Sequence, residues 1–253
     1  SPLKRASRRF MMGSMRPYLE MPEAISPQRR RQLLSDFEES LLIGTSPLTG
    51  TFQSTRGVAW TLTHEGIPEL LHQSPWLQPG LEALNIGHNH HNFTPWYNRW
   101  TQRPFNAFYL NLLQVAPGPG VGAHIDTTLR EATGLEDLFP EQVSVLWLDI
   151  PSELEGGNLS LFNNDRVLAC LAPSNGKVIH FGGRLNHQIT SISLRPQSPV
   201  EPAPLRTSLV CEQYRLPASA LQKLPPLSRH SRGTFPAYLN RAHQQPLKTF
   251  ALD

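Results

Sequence analysis

The sequence has only two cysteines, and no apolar run in it is long enough to cross a bilayer. Cys170 and Cys211 stand far apart in apolar runs, with no Cys-x-x-Cys pair and no zinc-finger spacing. We therefore expect two reduced cysteines in the core of a cytoplasmic protein. Because a spanning helix needs about 18 consecutive apolar residues, we expect no membrane partner.

Charge is also scarce. Charged residues make up 17% of the 253-residue chain, and the formal net charge is +3. Nucleic acid is not expected as a partner, because phosphate binding needs a concentrated basic face. Basic residues do gather in residues 1–19, which contain no acid. We expect a basic tail over residues 1–22, and organellar targeting by this Arg-rich segment stays open.

Proline and glycine, by contrast, are plentiful. The 24 prolines and 17 glycines suit many short strands joined by turns better than a helical bundle. Apolar residues at helical spacing predict a helix over residues 26–43. A strand is predicted at Gly57–Thr63, with short helical pieces at 68–72 and 79–84.

These patterns divide the chain into four parts. After the tail, residues 23–104 are predicted to form helices and a strand that support a core. Residues 105–216 hold the apolar, β-prone runs that make the core. Residues 217–253 are rich in proline and basic residues and are predicted to form an extended arm that wraps the domain.

The core begins with an alternating strand. From Phe108 to Val115, Tyr109, Asn111 and Leu113 are predicted to face one way and their neighbours the other. A Pro-Gly-Pro-Gly turn then leads to His124 and Asp126. At positions i and i+2 of a strand, these two side chains project to the same face, close enough to bind one ion.

His-x-Asp alone is weak support for a metal site, since roughly one chain in four of this composition would contain such a pair by chance. A second histidine, His187, follows in another strand-like run. Two histidines and one carboxylate on one face of a metal leave three positions open, as in non-haem Fe(II) oxygenases. A closed zinc site would need a fourth protein ligand, and none is evident.

Arg206 opens the β-prone run Arg-Thr-Ser-Leu-Val, with Ser208 on the same face. A guanidinium is always charged and binds a carboxylate through two parallel hydrogen bonds. Arg206 is therefore the predicted anchor for an acidic cosubstrate, and Arg195 is its rival. Arg206 is preferred because Pro196, directly after Arg195, indicates a loop.

From about Phe105 to Tyr214 the chain resembles the 2-oxoglutarate- and Fe(II)-dependent dioxygenases, most closely the prolyl-hydroxylase-like branch. The resemblance rests on the order and spacing of five motifs. These are His124-x-Asp126, Glu155-Gly156-Gly157-Asn158-Leu159, Pro173-x-x-Gly176-Lys177-Val178-Ile179-x-Phe181, His187, and Arg206-x-Ser208-Leu209. It implies a mainly β fold with flanking helices, namely a double-stranded β-helix (a jelly-roll, cupin-like barrel) with N-terminal helical support.

The resemblance also implies a reaction. Fe(II) held by His124, Asp126 and His187 would act with 2-oxoglutarate and O2 to hydroxylate an unactivated C–H bond, releasing succinate and CO2. Ascorbate is a candidate reductant. The substrate class implied is a prolyl, peptidyl or small amino-acid-like molecule.

One departure concerns the cosubstrate pocket. Family members often carry a tyrosine in the turn before His-x-Asp, where it touches the keto acid, and this chain has Ala116 there. Tyr109 or Asn111 can take over that contact, so both join Arg206 and Ser208 as candidate cosubstrate-binding residues.

Substrate contacts are predicted from two loops. Large aromatic residues in the loop before the core, Trp96, Tyr97 and Trp100, are candidates to line a substrate pocket. Arg130 is another candidate, because it lies in the polar insertion after Asp126 and loops over a site often carry specificity.

Two other functional classes remain open. The first is a non-catalytic jelly-roll that binds or senses a ligand. The second is a zinc-dependent hydrolase that uses the same three ligands, although the sequence places no general base beside them. The sequence makes no prediction about the oligomeric state.

Overall fold

The protein is mainly β in the computed structural model, which describes residues 17–40, 44–46, 55–86, 104–164, 166–196 and 202–231. The strands in this part of the chain are β1 (Tyr18–Met21), β2 (Gly44–Ser46), β3 (Thr55–Thr63), β4 (Ala107–Val115), β5 (Val121–His124), β6 (Gln142–Asp149), β7 (Leu154–Gly156), β8 (Leu159–Asn163), β9 (Arg166–Leu171), β10 (Val178–Gly182), β11 (Asn186–Ile189), β12 (Ile192–Leu194), β13 (Arg206–Tyr214) and β14 (Leu227–Ser231). The helices are α1 (Pro27–Glu39), α2 (Ile67–Gln73), α3 (Gln78–Ala83), α4 (Arg130–Thr133) and α5 (Ala218–Leu221).

The strands form two main antiparallel sheets. The larger has the order β1-β10-β6-β13-β4-β3-β14, with β2 also paired to β3, and the smaller has the order β5-β11-β8-β9. A short pair, β7 and β12, forms a separate two-stranded sheet. Along the chain, β4, β6, β10 and β13 lie in the larger sheet while β5, β8, β9 and β11 lie in the smaller one. This is the winding of a jelly roll, so the predicted double-stranded β-helix is confirmed.

Alternation along the central strands separates an outer core from an interior. On β4, Phe108, Leu110 and Leu112 pack outward in a cluster with buried side chains of α1–α3, including Leu33 and Phe37. The intervening side chains of β4 face the space between the sheets. The helices therefore support the larger sheet from outside and leave the interior to residues of the strands.

Strand pairing crosses the boundaries of the predicted parts of the chain. Tyr18–Met21, placed in the basic tail, pair with β10 as an edge strand. The strand β3 pairs with β4 along its whole length, so the main sheet continues across the proposed boundary at residue 104. In the predicted arm, β14 pairs with β3. Strand pairing supplies backbone hydrogen bonds that local composition does not indicate.

Helix α1 begins where the sequence predicts, with the Ser26 hydroxyl accepting a hydrogen bond from the Arg29 N–H at 3.3 Å, and it ends at Glu39.

Both cysteines are free, but only Cys211 is buried. The expectation that Cys170 lies in the core is wrong, because β9 is the edge of the smaller sheet and its outward residues face solvent. None of the helices in the described ranges has the length and apolar character of a membrane span.

One histidine of the larger sheet is fully buried away from the predicted metal ligands. His180 on β10 has no exposed surface, and its Nδ1 lies 2.8 Å from the Ser144 hydroxyl. Burial lowers the pKa of His180 from 6.5 to about 4. Since the unfolded chain binds a proton more readily than the folded one between these values, protonation favours unfolding as the pH falls through this window.

We expect His180→Gln to weaken the acid sensitivity of the fold. Between pH 7 and pH 4 the unaltered protein should lose up to about 3 kcal/mol more unfolding free energy than the variant. Urea unfolding at a series of pH values measures this difference. The exposed His72, replaced by glutamine, is the control, and equal pH slopes for the His180 variant and the unaltered protein would contradict the assignment.

Candidate metal centre and cavity

Two strands of the smaller sheet bring the predicted metal ligands together. In the antiparallel pair of β5 and β11, His124 lies directly opposite His187, and their ring centroids are 4.3 Å apart. Asp126 follows β5 by two residues, with one carboxylate oxygen 3.4 Å from His124 Nε2 and the other 3.4 Å from His187 Nε2. The ligand atoms of all three lie within 4.8 Å of one another. The structure thus assembles a site that can hold one metal ion.

Backbone carbonyls orient both imidazole rings. His124 Nδ1 lies 2.8 Å from the Gly122 carbonyl oxygen, and His187 Nδ1 lies 3.3 Å from that of Leu185. Because a carbonyl only accepts, each Nδ1 carries the proton and donates it. Each Nε2 is then left with a lone pair directed at the common centre, as metal-binding histidines require.

Burial and the Asp126 charge act on the two histidines differently. Burial is the main influence on His187 and lowers its pKa to about 4, although Asp126 opposes the shift. For His124, burial also acts to lower the pKa, but the hydrogen bond and charge of Asp126, with the Gly122 carbonyl, raise it overall. His187 is therefore a neutral nitrogen donor at physiological pH.

The ligands open onto a cavity between the two sheets with a volume of about 110 Å³. Alternate residues of β4, β6 and β13 line it from the larger sheet. The predicted residues that line it are His124, Asp126, His187, Arg206, Ser208, Tyr109 and Asn111. Most of the remaining wall is apolar, including Val145, Leu159, Ile189 and Ile192.

Arg206 is the buried cation of this cavity. Its side chain donates a hydrogen bond from Nη1 to the Gly157 carbonyl oxygen at 2.9 Å. Gly157 has φ +68°, and a Cβ there would collide with the guanidinium, so glycine makes room for it. Burial lowers the pKa of Arg206 to about 10, which leaves it charged near neutral pH.

Two buried polar atoms at the Arg206 end of the cavity make no hydrogen bond within the described residues. Within the described residues, Arg206 Nε and Ser208 Oγ are buried without a hydrogen-bond partner, and no ion pair joins Arg206 to a carboxylate. An unsatisfied buried donor is costly, so a bound molecule with acceptor oxygens would stabilise this end. The rival residue, Arg195, is exposed and lies in a neighbouring groove rather than in the cavity.

Of the predicted substrate contacts the structure describes Arg130, which lies outside the cavity lining. Arg130 on α4 donates from Nε to the Leu138 carbonyl oxygen at 2.7 Å, and its guanidinium stacks 4.3 Å from the ring centroid of Phe139. It does not line the cavity, because these two contacts hold it along its own loop. Three other candidates, Trp96, Tyr97 and Trp100, lie outside the described residues.

Sequence reasoning missed Glu212, a carboxylate in the cavity wall with 2% exposure. It accepts hydrogen bonds from the backbone N–H of Thr128 at 3.3 Å, from the Thr128 hydroxyl and from the Tyr214 hydroxyl. Burial, followed by the Asp126 charge, raises its pKa to about 8. The alternation that places Arg206 and Ser208 inward also places residue 212 inward, so period-2 phasing could have found it.

No protein-family model matches the sequence, and no curated protein matches it. Solved structures do. A Pseudomonas putida prolyl-4-hydroxylase is 15% identical with a TM-score of 0.47, over 80% of this chain and 94% of that one. A Burkholderia pseudomallei oxidoreductase of the 2OG-Fe(II) oxygenase family is 15% identical with a TM-score of 0.44, over 79% and 85%.

A third similar structure is a Trichoplax adhaerens prolyl hydroxylase in complex with a peptide fragment of the hypoxia inducible factor oxygen degradation domain. It is 13% identical, with a TM-score of 0.48, over 79% of this chain and 84% of that one. The roles of individual residues rest on the cavity described above.

We expect Asp126→Ala to weaken metal binding by roughly a hundredfold or more, because it removes the one carboxylate between the two imidazoles. Anaerobic titration with Fe(II), followed by calorimetry, measures the affinity. Asp149→Ala is the matched control, since Asp149 pairs with Arg30 at 3.7 Å away from the cavity. Unchanged affinity in the Asp126 variant would remove this carboxylate from the ligand set.

Proposed function

We propose that this protein is an Fe(II)- and 2-oxoglutarate-dependent oxygenase that hydroxylates an unactivated C–H bond and releases succinate and CO2. The observation that carries the proposal is the buried Arg206 guanidinium, which has no carboxylate partner among the described residues and shares one cavity with a His-Asp-His cluster. A buried charge is stable only when it is compensated, and a carboxylate-bearing cosubstrate compensates it.

The three ligand residues fit Fe(II). Two imidazole nitrogens and a carboxylate on one side of an ion leave open positions for small ligands. When bound, Fe(II) supplies the activation of O2 that is coupled to oxidative decarboxylation of 2-oxoglutarate. Asp126 contributes negative charge, and the carbonyls behind His124 and His187 fix their rings. Ascorbate as a reductant stays a prediction.

The other end of the cavity fits the keto acid. Arg206 would pair with the distal carboxylate, and the Ser208 hydroxyl would donate a hydrogen bond to it. Both groups are buried, so their interaction with an anion is not weakened by bulk water. The apolar walls exclude water from the reacting centre. Contacts from Tyr109 or Asn111 to the keto acid stay predictions.

For the substrate we propose a prolyl, peptidyl or small amino-acid-like molecule. The support is the resemblance of the ordered motifs, from His124-x-Asp126 to Arg206-x-Ser208-Leu209, to the prolyl-hydroxylase-like branch. Release of succinate in the presence of such a molecule is the defining observation.

We expect Arg206→Lys to raise the 2-oxoglutarate requirement by roughly tenfold or more, because lysine lacks the fork that grips both carboxylate oxygens. Iron-dependent succinate formation at varied 2-oxoglutarate concentration measures it. Fe(II) affinity should change far less, since Arg206 does not contact the ligands.

Arg195→Lys is the control, and it should leave the 2-oxoglutarate requirement unchanged. An increase in that variant, with none in the Arg206 variant, would transfer the anchor to Arg195. If the unaltered protein binds Fe(II) but neither binds nor decarboxylates 2-oxoglutarate, the proposed function is wrong.

A further inference from the structure

The cavity is lined by a guanidinium, that of Arg206, and by a carboxyl group, that of Glu212. Arg206 and Glu212 lie six residues apart on β13 and both face inward. At about 3.4 Å per residue, their Cα atoms are separated by roughly 20 Å. If the proposed function is right, the anionic cosubstrate occupies the Arg206 end, and the Glu212 end is left for the substrate.

The metal ligands lie toward Glu212. On the larger sheet, Val143 is paired with both Glu212 and Phe181, and the Phe181 ring packs 5.0 Å from that of His187. The negative charge of Asp126 is near enough to contribute to the raised pKa of Glu212. A molecule that reaches the metal from the side opposite Arg206 therefore meets the Glu212 carboxyl group.

No cation compensates Glu212 in the described part of the chain. Its partners are the neutral donors of Thr128 and Tyr214, and no ion pair to it is formed there. Its neighbours along the strands are Val210, Val143 and the ring of Tyr109. Taking a carboxylate out of water costs several kcal/mol unless an opposite charge or enough hydrogen bonds replace the water.

We propose that Glu212 is a specificity-determining residue that binds a positively charged nitrogen of the substrate. This inference rests on the proposed function and narrows its substrate class to amines, such as an amino acid, a basic side chain or the free amino terminus of a peptide. Asp126 is compensated by the metal and Arg206 by the keto acid, so the substrate nitrogen completes the charge balance of the cavity.

A competing role is structural. Because Thr128 follows the ligand Asp126 by two residues, Glu212 could serve only to hold that loop. The two roles differ in their consequences: loss of a loop anchor weakens metal binding and affects every substrate equally, whereas loss of a recognition carboxylate affects charged substrates alone.

The experiment compares matched pairs of compounds that share a carbon skeleton and differ in an amine or a hydroxyl group, such as lysine and 6-hydroxynorleucine. Binding to the protein with Fe(II) and 2-oxoglutarate is measured anaerobically by calorimetry, and succinate release is measured in air. The unaltered protein should prefer the amine of at least one pair by roughly tenfold or more. In Glu212→Gln that preference should be lost, through KM for the amine rather than through Fe(II) affinity.

Tyr214→Phe is the matched control, since it removes a donor to Glu212 and leaves the carboxylate in place; it should keep the preference for amines. Equal binding of amines and alcohols by the unaltered protein, which needs no variant to test, would overturn the proposal. So would a Glu212→Gln variant that weakens Fe(II) binding and both members of a pair together. Failure to decarboxylate 2-oxoglutarate with any compound would instead count against the proposed function, while the calorimetric comparison would still report on Glu212.

Discussion

The site depends on the register between β5 and β11. Gly118, just before β5, and Ile192, just after β11, exchange backbone hydrogen bonds of 2.8 and 2.9 Å, which hold the two strands together at this end. Gly120, at φ +81°, brings its backbone against the Ile189 carbonyl, where a side chain would not fit. A slip of one residue would turn an imidazole away from the cavity, so the position of His124 opposite His187 follows from this backbone packing.

Part of the site was predictable because several of its residues stand only two positions apart in the sequence. His124 and Asp126, and likewise Arg206 and Ser208, stand two apart in β-prone runs, and period 2 sends both members of a pair to one face. The turns between short runs indicated only many short strands, and the jelly roll was implied by the resemblance of the ordered motifs. On β13 this period holds, since Arg206 and Ser208 both line the cavity, whereas Asp126 lies two residues beyond the end of β5.

The parts that sequence reasoning missed depend on long-range pairing. Nothing local marks β9 as the edge strand that exposes Cys170, or Tyr18–Met21 as a partner for β10. The direction of Arg130 is decided by a carbonyl and a ring that come eight and nine residues later. Glu212 was missed because a single carboxylate in an apolar strand forms no motif. Its inward direction follows only when the alternation that begins at Arg206 is extended to the end of β13.

The guanidinium of Arg206 and the carboxyl group of Glu212, both buried on β13, cannot form an ion pair with each other. At roughly 20 Å, even with an effective dielectric constant of 20, their attraction is below about 1 kcal/mol. Desolvation costs several kcal/mol for each ion, so their mutual attraction does not offset it. The sheet that holds Arg206 and Glu212 in place therefore keeps them apart as well, and each is open to a molecule that enters the cavity. An anion suits one end, and a cation suits the other. On this electrostatic ground, one strand would both fix the proposed cosubstrate and select the charge of the proposed substrate.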